Sequence, residues 1–278
     1  MPILLFCLCL STILPRWNSW PFSTQRVQEL LTLYAQGSWD SISNPTRWSL
    51  ANSNEFKPFS FDDTRKCLKH RWIYVIGDSQ MRMFFSRLVE RVNGTLSDRR
   101  FGSYLIHDKG GCFQSAGESE GHKSNECTRE YIKHDIRLTF GFQAFGQHKN
   151  VLFESLVSES TIPDLVLLST GAWDIGYKGS KISVAANHSL QMIHNVREVY
   201  AGPIVWCLTN VCDPFKNSSS YLNEAQLKAL SAVADKDLVL LNREPSTLPL
   251  TDAHLCEGYH AYGNVVSLHV DMLLNALC

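Results

Sequence analysis

The chain of 278 residues has no excess charge of either sign: 26 Lys and Arg face 27 Asp and Glu, a formal net charge of −1. A basic field that would draw it to nucleic acid is therefore missing, and nucleic acid is not an expected partner. No uninterrupted apolar run reaches the roughly 20 residues that span a bilayer. No internal repeat and no low-complexity tract occurs, and no paired C-x-x-C spacing offers a zinc site; no metal is expected. What is there is ordinary for a packed domain, with 44% hydrophobic and 19% charged residues, which excludes disorder.

The first stretch, MPILLFCLCLSTILP, is apolar over residues 3–14 apart from Ser11 and Thr12, and lies between Pro2 and Pro15. That length suits the apolar region of a signal peptide or a short anchor, although the first basic residue is Arg16 and a positive leading region is missing. Residues 1–15 are accordingly expected to be a leader, against a buried N-terminal element. Sequons at Asn93, Asn187 and Asn217 point the same way, towards glycosylation in the secretory pathway. The destination would be the Golgi lumen or secretion, soluble or membrane-anchored.

Seven cysteines follow the leader. Cys112 and Cys127 bracket a polar loop with no apolar face of its own, which a disulfide would suit. Cys207 and Cys212 flank Leu-Thr-Asn-Val, a plausible strand-end loop, and form a second expected pair. Of the remaining three, Cys67–Cys278 is favoured over pairings with Cys256. A reduced cytosolic chain is the alternative.

Along the chain, Ser23 precedes an amphipathic run with Val27, Leu30, Leu31 and Tyr34 on one face and Gly37 as the stop, which predicts a helix. Residues 16–66 read as an N-terminal wrapping segment and 67–278 as the main domain. Trp72–Ile76 is a continuous apolar β-type run, as in a strand buried on both faces. Met81, Phe84, Phe85, Leu88 and Val92 then recur at helical spacing. Further strand-like runs are Tyr104–Ile106, Ile136–Phe142, Leu165–Leu168, Ile204–Leu208 and Leu238–Leu241. Helical patterns fall near 182–200, 222–234 and 264–277. This alternation predicts an α/β fold in three layers, a central, mainly parallel sheet flanked by helices. Working residues then gather beyond the carboxyl ends of the strands.

Three segments carry chemistry. Gly77-Asp78-Ser79 lies between the first buried strand and its helix, where glycine permits a tight turn and the helix start offers free N–H groups. A serine there is either a nucleophile whose own N–H helps hold an oxyanion, or a simple helix cap. A nucleophile needs a base and the base an orienting acid. His260 lies after the last strand-like run, with Glu257 three residues upstream and Asp252 as the alternative acid; His254 is the rival base. Finally, Ser169–Tyr177 follows the Leu165–Leu168 strand, where Gly171 allows close backbone approach, Trp173 would wall a pocket and Asp174 would cap the next turn. A packed strand-end turn is the alternative.

At these positions the sequence resembles the PC-esterase branch of the SGNH (GDSL-like) hydrolases, which includes the trichome-birefringence-like polysaccharide O-acetyltransferases and the luminal domain of the sialic-acid O-acetyltransferase. Gly77-Asp78-Ser79-Gln80-Met81-Arg82 is similar to that branch's Gly-Asp-Ser-x-x-Arg, and Thr170-Gly171-Ala172-Trp173 to its Gly-x-Trp element. Glu257-Gly258-Tyr259-His260 is similar to its Asp-x-x-His, with Glu in place of Asp. The resemblance covers roughly residues 55–278 and implies an SGNH fold and an acyl-serine mechanism. Ser79 would be the nucleophile, His260 the base and Glu257, or Asp252, the acid. Ser79, Arg82, Gly171 and Trp173 would serve the oxyanion and substrate; Gly102 and Gly141 are candidates for a second oxyanion element. It implies an O-acetyl esterase or transferase on a glycan or polysaccharide, without a cofactor. A transferase would need an acetyl donor, such as a membrane-bound partner supplies. The alternative is a non-catalytic glycan-binding or cell-surface protein on the same scaffold, for which the Glu257 departure speaks.

Overall fold

A computed structural model describes residues 23–42, 44–50, 56–94, 108–109, 128–147, 162–233, 235–251 and 255–278. The expected leader at 1–15, the Tyr104–Ile106 strand, Gly102, the Cys112–Cys127 pair, Asp252 and His254 lie outside them.

The described helices are α1 (Thr24–Tyr34), α2 (Phe61–Leu68), α3 (Ser79–Asn93), α4 (Ala172–Gly176), α5 (Ile182–Arg197), α6 (Lys216–Ser231), α7 (Glu244–Thr247) and α8 (Gly263–Leu277). The strands are β1 (Ser38–Trp39), β2 (Trp48–Ser49), β3 (Trp72–Gly77), β4 (Asp108–Lys109), β5 (Thr128–Lys133), β6 (Ile136–Phe142), β7 (Leu165–Ser169), β8 (Ile204–Cys207), β9 (Leu238–Leu241), β10 (Cys256–Glu257) and β11 (His260–Ala261). Two small antiparallel pairs, β1–β2 and β10–β11, stand apart from a seven-stranded sheet of order β4-β5-β6-β3-β7-β8-β9. Its five strands from β6 to β9 run parallel, and β5 and β4 are antiparallel additions.

The two-residue period of β3 builds the layers. Ile73 and Val75 point into a core shared with α1, α3 and α8, through Leu31, Phe84, Phe85 and Leu273. Trp72, Tyr74 and Ile76 point the other way, against Met192, Ile193 and Val196 of α5 and Leu230 of α6. Every residue of β3 is buried, as a central parallel strand covered on both faces requires. This is the three-layer α/β architecture that the alternation of elements implies. Among the described residues no helix is long and apolar enough to cross a membrane.

The helix read from Val27, Leu30, Leu31 and Tyr34 forms, with those four residues buried and Ser23 accepting from the Arg26 amide as its cap. It lies against β9 and α8. Neither α2 nor β5 is expected from the sequence. α2 runs across residue 67 and starts at a Ser60 cap, its two buried residues being Thr64 and Leu68. The strand β5 has an exposed Ile132 and a half-buried Tyr131, so its apolar residues do not alternate cleanly. The helix expected near 222–234 begins six residues earlier, at Lys216, because its first turns (Lys-Asn-Ser-Ser-Ser) are polar and bury only Ser219.

The disulfides correct one expected pair. Cys67 on α2 joins Cys278 at the end of α8, as favoured, with Cα atoms 5.8 Å apart. Cys212, however, joins Cys256 (Cα–Cα 5.2 Å), and Cys207 is a free thiol. The reason is the sheet. Cys207 is the last residue of β8 and its side chain belongs to the α1/α3/α8 core, whereas Cys212 lies on the loop beyond, against β10. Burial pushes the Cys207 thiol up to about 11, which keeps it protonated and unreactive at neutral pH.

Because Cys67–Cys278 closes 211 residues of chain, Cys278→Ser is expected to lower the unfolding free energy by about 2–5 kcal/mol. Urea denaturation of the variant and the parent checks it; coincident midpoints would contradict it.

Candidate active site

The chain visits the parallel strands in the order β3, β6, β7, β8, β9, while their spatial order is β6-β3-β7-β8-β9. The direction of winding reverses at β3, so the loops after β3 and β7 diverge onto opposite faces and leave a crevice at their carboxyl ends, the preferred ligand position of such sheets. Register sets Gly77 of β3 beside Ser169 of β7. Ser79 and Gly171 each follow by two residues and reach the same edge.

Gly77 is required by contact. A Cβ there would sit 2.6 Å from both the Ser169 carbonyl oxygen and Met81 Cγ. Without one, α3 starts directly beyond the strand. Asp78 caps it, its Oδ1 accepting from the Gln80 amide at 2.9 Å. Ser79 is the first helical residue, so its N–H is one of the first-turn groups that has no acceptor within the helix.

Burial raises Asp78 to about 6, opposed by the Gln80 amide and the buried Arg243 guanidinium. Burial thus favours the protonated form of the carboxyl next to the serine. Arg82, one turn on, is half-buried; its charge acts on Asp78 and its backbone N–H donates to the Asp78 carbonyl.

The imidazole comes from the far end of the chain. β10 and β11 form a tight hairpin in which Glu257 is directly opposite His260. His260 Nε2 lies 2.6 Å from Ser79 Oγ, across 181 residues of sequence. This is the hydrogen-bond reach that a nucleophile–base pair needs. Directly opposed residues in an antiparallel pair have Cβ atoms about 4.5–5.5 Å apart on one face, within a glutamate's reach of the ring. Glu257 is exposed and His260 half-buried, so the dyad opens to solvent on the hairpin side.

A second serine–histidine pair shows what such a contact is without access. Ser246 Oγ lies 2.8 Å from His269 Nε2, but both residues are only 1% exposed. Ser246 gives its single hydroxyl proton to the Arg243 carbonyl at 2.8 Å, so the imidazole donates to the serine, the opposite polarity to a base. Burial holds His269 well below the usual histidine range.

Of the other expected residues, Gly171 takes a left-handed φ of 111° at the start of α4, and a Cβ would press on Leu222 and Gln226 at 3.0 and 3.1 Å. Trp173 is half-buried and packs edge-on against Phe142 and Phe145, with Tyr177 beside it. Asp174 is buried and holds His188 Nδ1 at 2.7 Å, because α5 passes behind it. Gly141 lies inside β6, paired with Ile76 and Thr128, which places its backbone in the ladder and not in the site.

Sequence reading missed the layer under the dyad. Arg243, Gln80 and Asn210 are buried together: Arg243 Nη2 and the Asn210 amide both donate to Gln80 Oε1, at 3.2 and 3.0 Å. A signal existed, since Asn210 and Arg243 lie two or three residues past β8 and β9, at the edge where a parallel sheet places its working residues. Among the described residues no three His, Cys, Asp or Glu side chains converge to hold a metal.

No family model matches the chain, and no curated protein matches it in sequence. Among solved structures it is similar to an active-site mutant of a family two carbohydrate esterase from Clostridium thermocellum, at 12% identity and a TM-score of 0.40, over 73% of this chain and 62% of that one. The chain thus spans less than two thirds of that protein's length. It is also similar to a carbohydrate esterase family 3 protein from Talaromyces cellulolyticus (9% identity, 74% and 94% covered, TM-score 0.44). A peptidoglycan O-acetylesterase shows 10% identity, 81% and 98% coverage and a TM-score of 0.49.

Asp78 generates a pH prediction. Its folded value, about 6, exceeds the ordinary 3.8, so the protonated form is favoured in the folded state. Its contribution is fully present below pH about 4 and is lost as pH rises through about 6, on the order of 3 kcal/mol. Asp78→Asn retains a capping oxygen and removes that loss. Unfolding free energies measured from pH 4 to 7 should fall less with pH in the variant; parallel curves would contradict it.

Proposed function

We propose that the chain is a serine O-acyl esterase or O-acetyltransferase that acts on glycans through an acyl-Ser79 intermediate. The observation that carries the reading is the 2.6 Å contact between Ser79 Oγ and His260 Nε2 at the crevice of a parallel sheet. His260 takes the hydroxyl proton as Ser79 Oγ bonds to the ester carbonyl carbon. The oxyanion faces the Ser79 N–H at the positive start of α3 and donors near Gly171. The carbon–oxygen bond to the leaving alcohol breaks, His260 protonates that alcohol, and the acyl group stays on Ser79. A water or a sugar hydroxyl then gives its proton to His260 as its oxygen bonds to the acyl carbon; the bond from that carbon to Ser79 Oγ breaks, and His260 returns the proton to Ser79. Water completes an esterase, a sugar a transferase. Glu257, opposite His260, is the acid that would orient the ring and stabilise its charged form.

The glycan class rests on the resemblance to the PC-esterase branch, and surface chemistry supports it. Tyr177 is 71% exposed beside the half-buried Trp173, and Phe215 is 39% exposed where it stacks on Tyr259, the neighbour of His260. Aromatic faces set beside a polar site suit the apolar faces of sugar rings. Two disulfides and exposed sequon residues Asn187 and Asn217 favour an oxidising, secretory setting.

The test is acetate release by the purified full chain from aryl acetates and acetylated glycans. Ser79→Ala and His260→Ala are each expected to lower turnover by about a thousandfold or more. Labelling of Ser79 by a serine-directed fluorophosphonate should need His260. A folded wild-type chain that neither turns over nor labels would overturn the enzyme reading in favour of a glycan-binding protein.

A further inference from the structure

We propose that Asn210 is a positioning residue that fixes the His260 hairpin against Ser79, an inference that rests on the acyl-serine reading above. The hairpin β10–β11 is only two residues deep on each side and pairs with no strand of the main sheet. An isolated pair of this size does not hold its own geometry in water. Something else must place the imidazole to within the few tenths of an ångström that proton transfer demands.

The segment from Thr209 to Phe215, just beyond β8, does so. Its own backbone is pinned from three helices. The Thr209 amide donates to Asn223 Oδ1 of α6 at 2.9 Å, the Asn210 amide to Gln80 Oε1 of α3 at 3.0 Å, and the Val211 amide to Thr247 Oγ1 of α7 at 2.9 Å. All six of those residues are buried. From this fixed base the segment grips the hairpin four times. Asn210 Nδ2 donates to the Tyr259 carbonyl at 3.2 Å, and the Cys212–Cys256 disulfide is covalent. The Asp213 carbonyl accepts from the Gly258 amide at 2.7 Å, and the Phe215 ring stacks on Tyr259 with centroids 4.7 Å apart and planes 3° from parallel.

Asn210 has the special place in this clamp because it holds both sides of the dyad. Its main chain is bonded to Gln80, the neighbour of the nucleophile, and its side chain to the carbonyl of Tyr259, the neighbour of the base. Arg243 Nη2 donates to the same Gln80 oxygen and fixes the carboxamide from below. The bond is part-buried and its donor comes from a buried side chain, so losing Nδ2 leaves the Tyr259 carbonyl to find another arrangement. His260, the next residue, moves with it.

The experiment compares the full chain with Asn210→Ala and Asn210→Leu; the leucine removes the donor while keeping the branching and heavy-atom count, and two variants of different size keep the test readable where one does not fold. Gln25→Ala, exposed on α1, is the control. Three quantities are read: kcat and KM on an aryl acetate, the imidazole resonance of His260 assigned by its loss in His260→Ala, and the melting temperature. Expected is a fall in kcat of about 10–100-fold with KM within about twofold, in samples still folded at the assay temperature, together with a displaced His260 resonance. Parental kcat in both variants, or a loss that follows only the unfolded fraction with the His260 resonance in place, would overturn the proposal. If the parent itself turns over no ester, the acyl-serine reading fails separately; the resonance still reports whether Asn210 places His260.

Discussion

The contact between Ser79 and His260 has to be made across 181 residues, and neither partner belongs to an element that could bring the other with it. Ser79 starts a helix that is welded to the central strand, since Gly77 leaves no room for slack between β3, β7 and α3. His260 sits on a hairpin outside the sheet. The parallel sheet solves half of the problem by delivering the ends of β3, β7, β8 and β9 to one edge. The loop after β8 solves the other half by tying the hairpin to that edge. The position of the loop follows from the strand order, so the dyad ultimately depends on the register of the sheet.

The same edge carries charge into the interior. Asp78 and Arg243 are both fully buried, each shifted by burial away from its charged form, and each pulled back by the other. A buried pair of this kind is a poor source of stability, because desolvation offsets most of the attraction. Its value lies in direction. Arg243 donates to the Leu208 carbonyl through Nε and to Gln80 through Nη2, which fixes the start of the β8 loop and the side chain next to the serine together. An apolar filling could not hold two loops at a set distance in this way.

Sequence reading captured the sheet because its strands are buried on both faces and therefore appear as continuous apolar runs, as in Trp72–Ile76 and Leu165–Leu168. It singled out Ser79 and His260, and the structure sets their side chains 2.6 Å apart. The parts that were not legible share a physical cause. β5 and the first turns of α6 are polar, so periodicity has nothing to register. The Cys212–Cys256 pair depends on which way a strand-end side chain points: Cys207, expected to pair with Cys212, faces the core and cannot reach it. Arg243, Gln80 and Asn210 were not singled out as a group, because only the fold brings these polar side chains together and buries them.

The two serine–histidine pairs make clear why residue types alone could not have assigned the site. Ser246 and His269 are closer in sequence, 23 residues apart, and their 2.8 Å contact is nearly as short as the one between Ser79 and His260. What separates them is the fate of one proton and the presence of solvent. Ser246 commits its hydroxyl hydrogen to a carbonyl, and burial disfavours the imidazolium that a base must become, so the pair is locked in one protonation state. At Ser79 the imidazole is half-exposed, a carboxylate stands opposite it across the hairpin, and the helix start presents its positive end, the surroundings that the proposed acyl-serine mechanism needs. Chemistry follows from those surroundings, and the surroundings are set by a loop and a hairpin whose sequences carry no regular pattern.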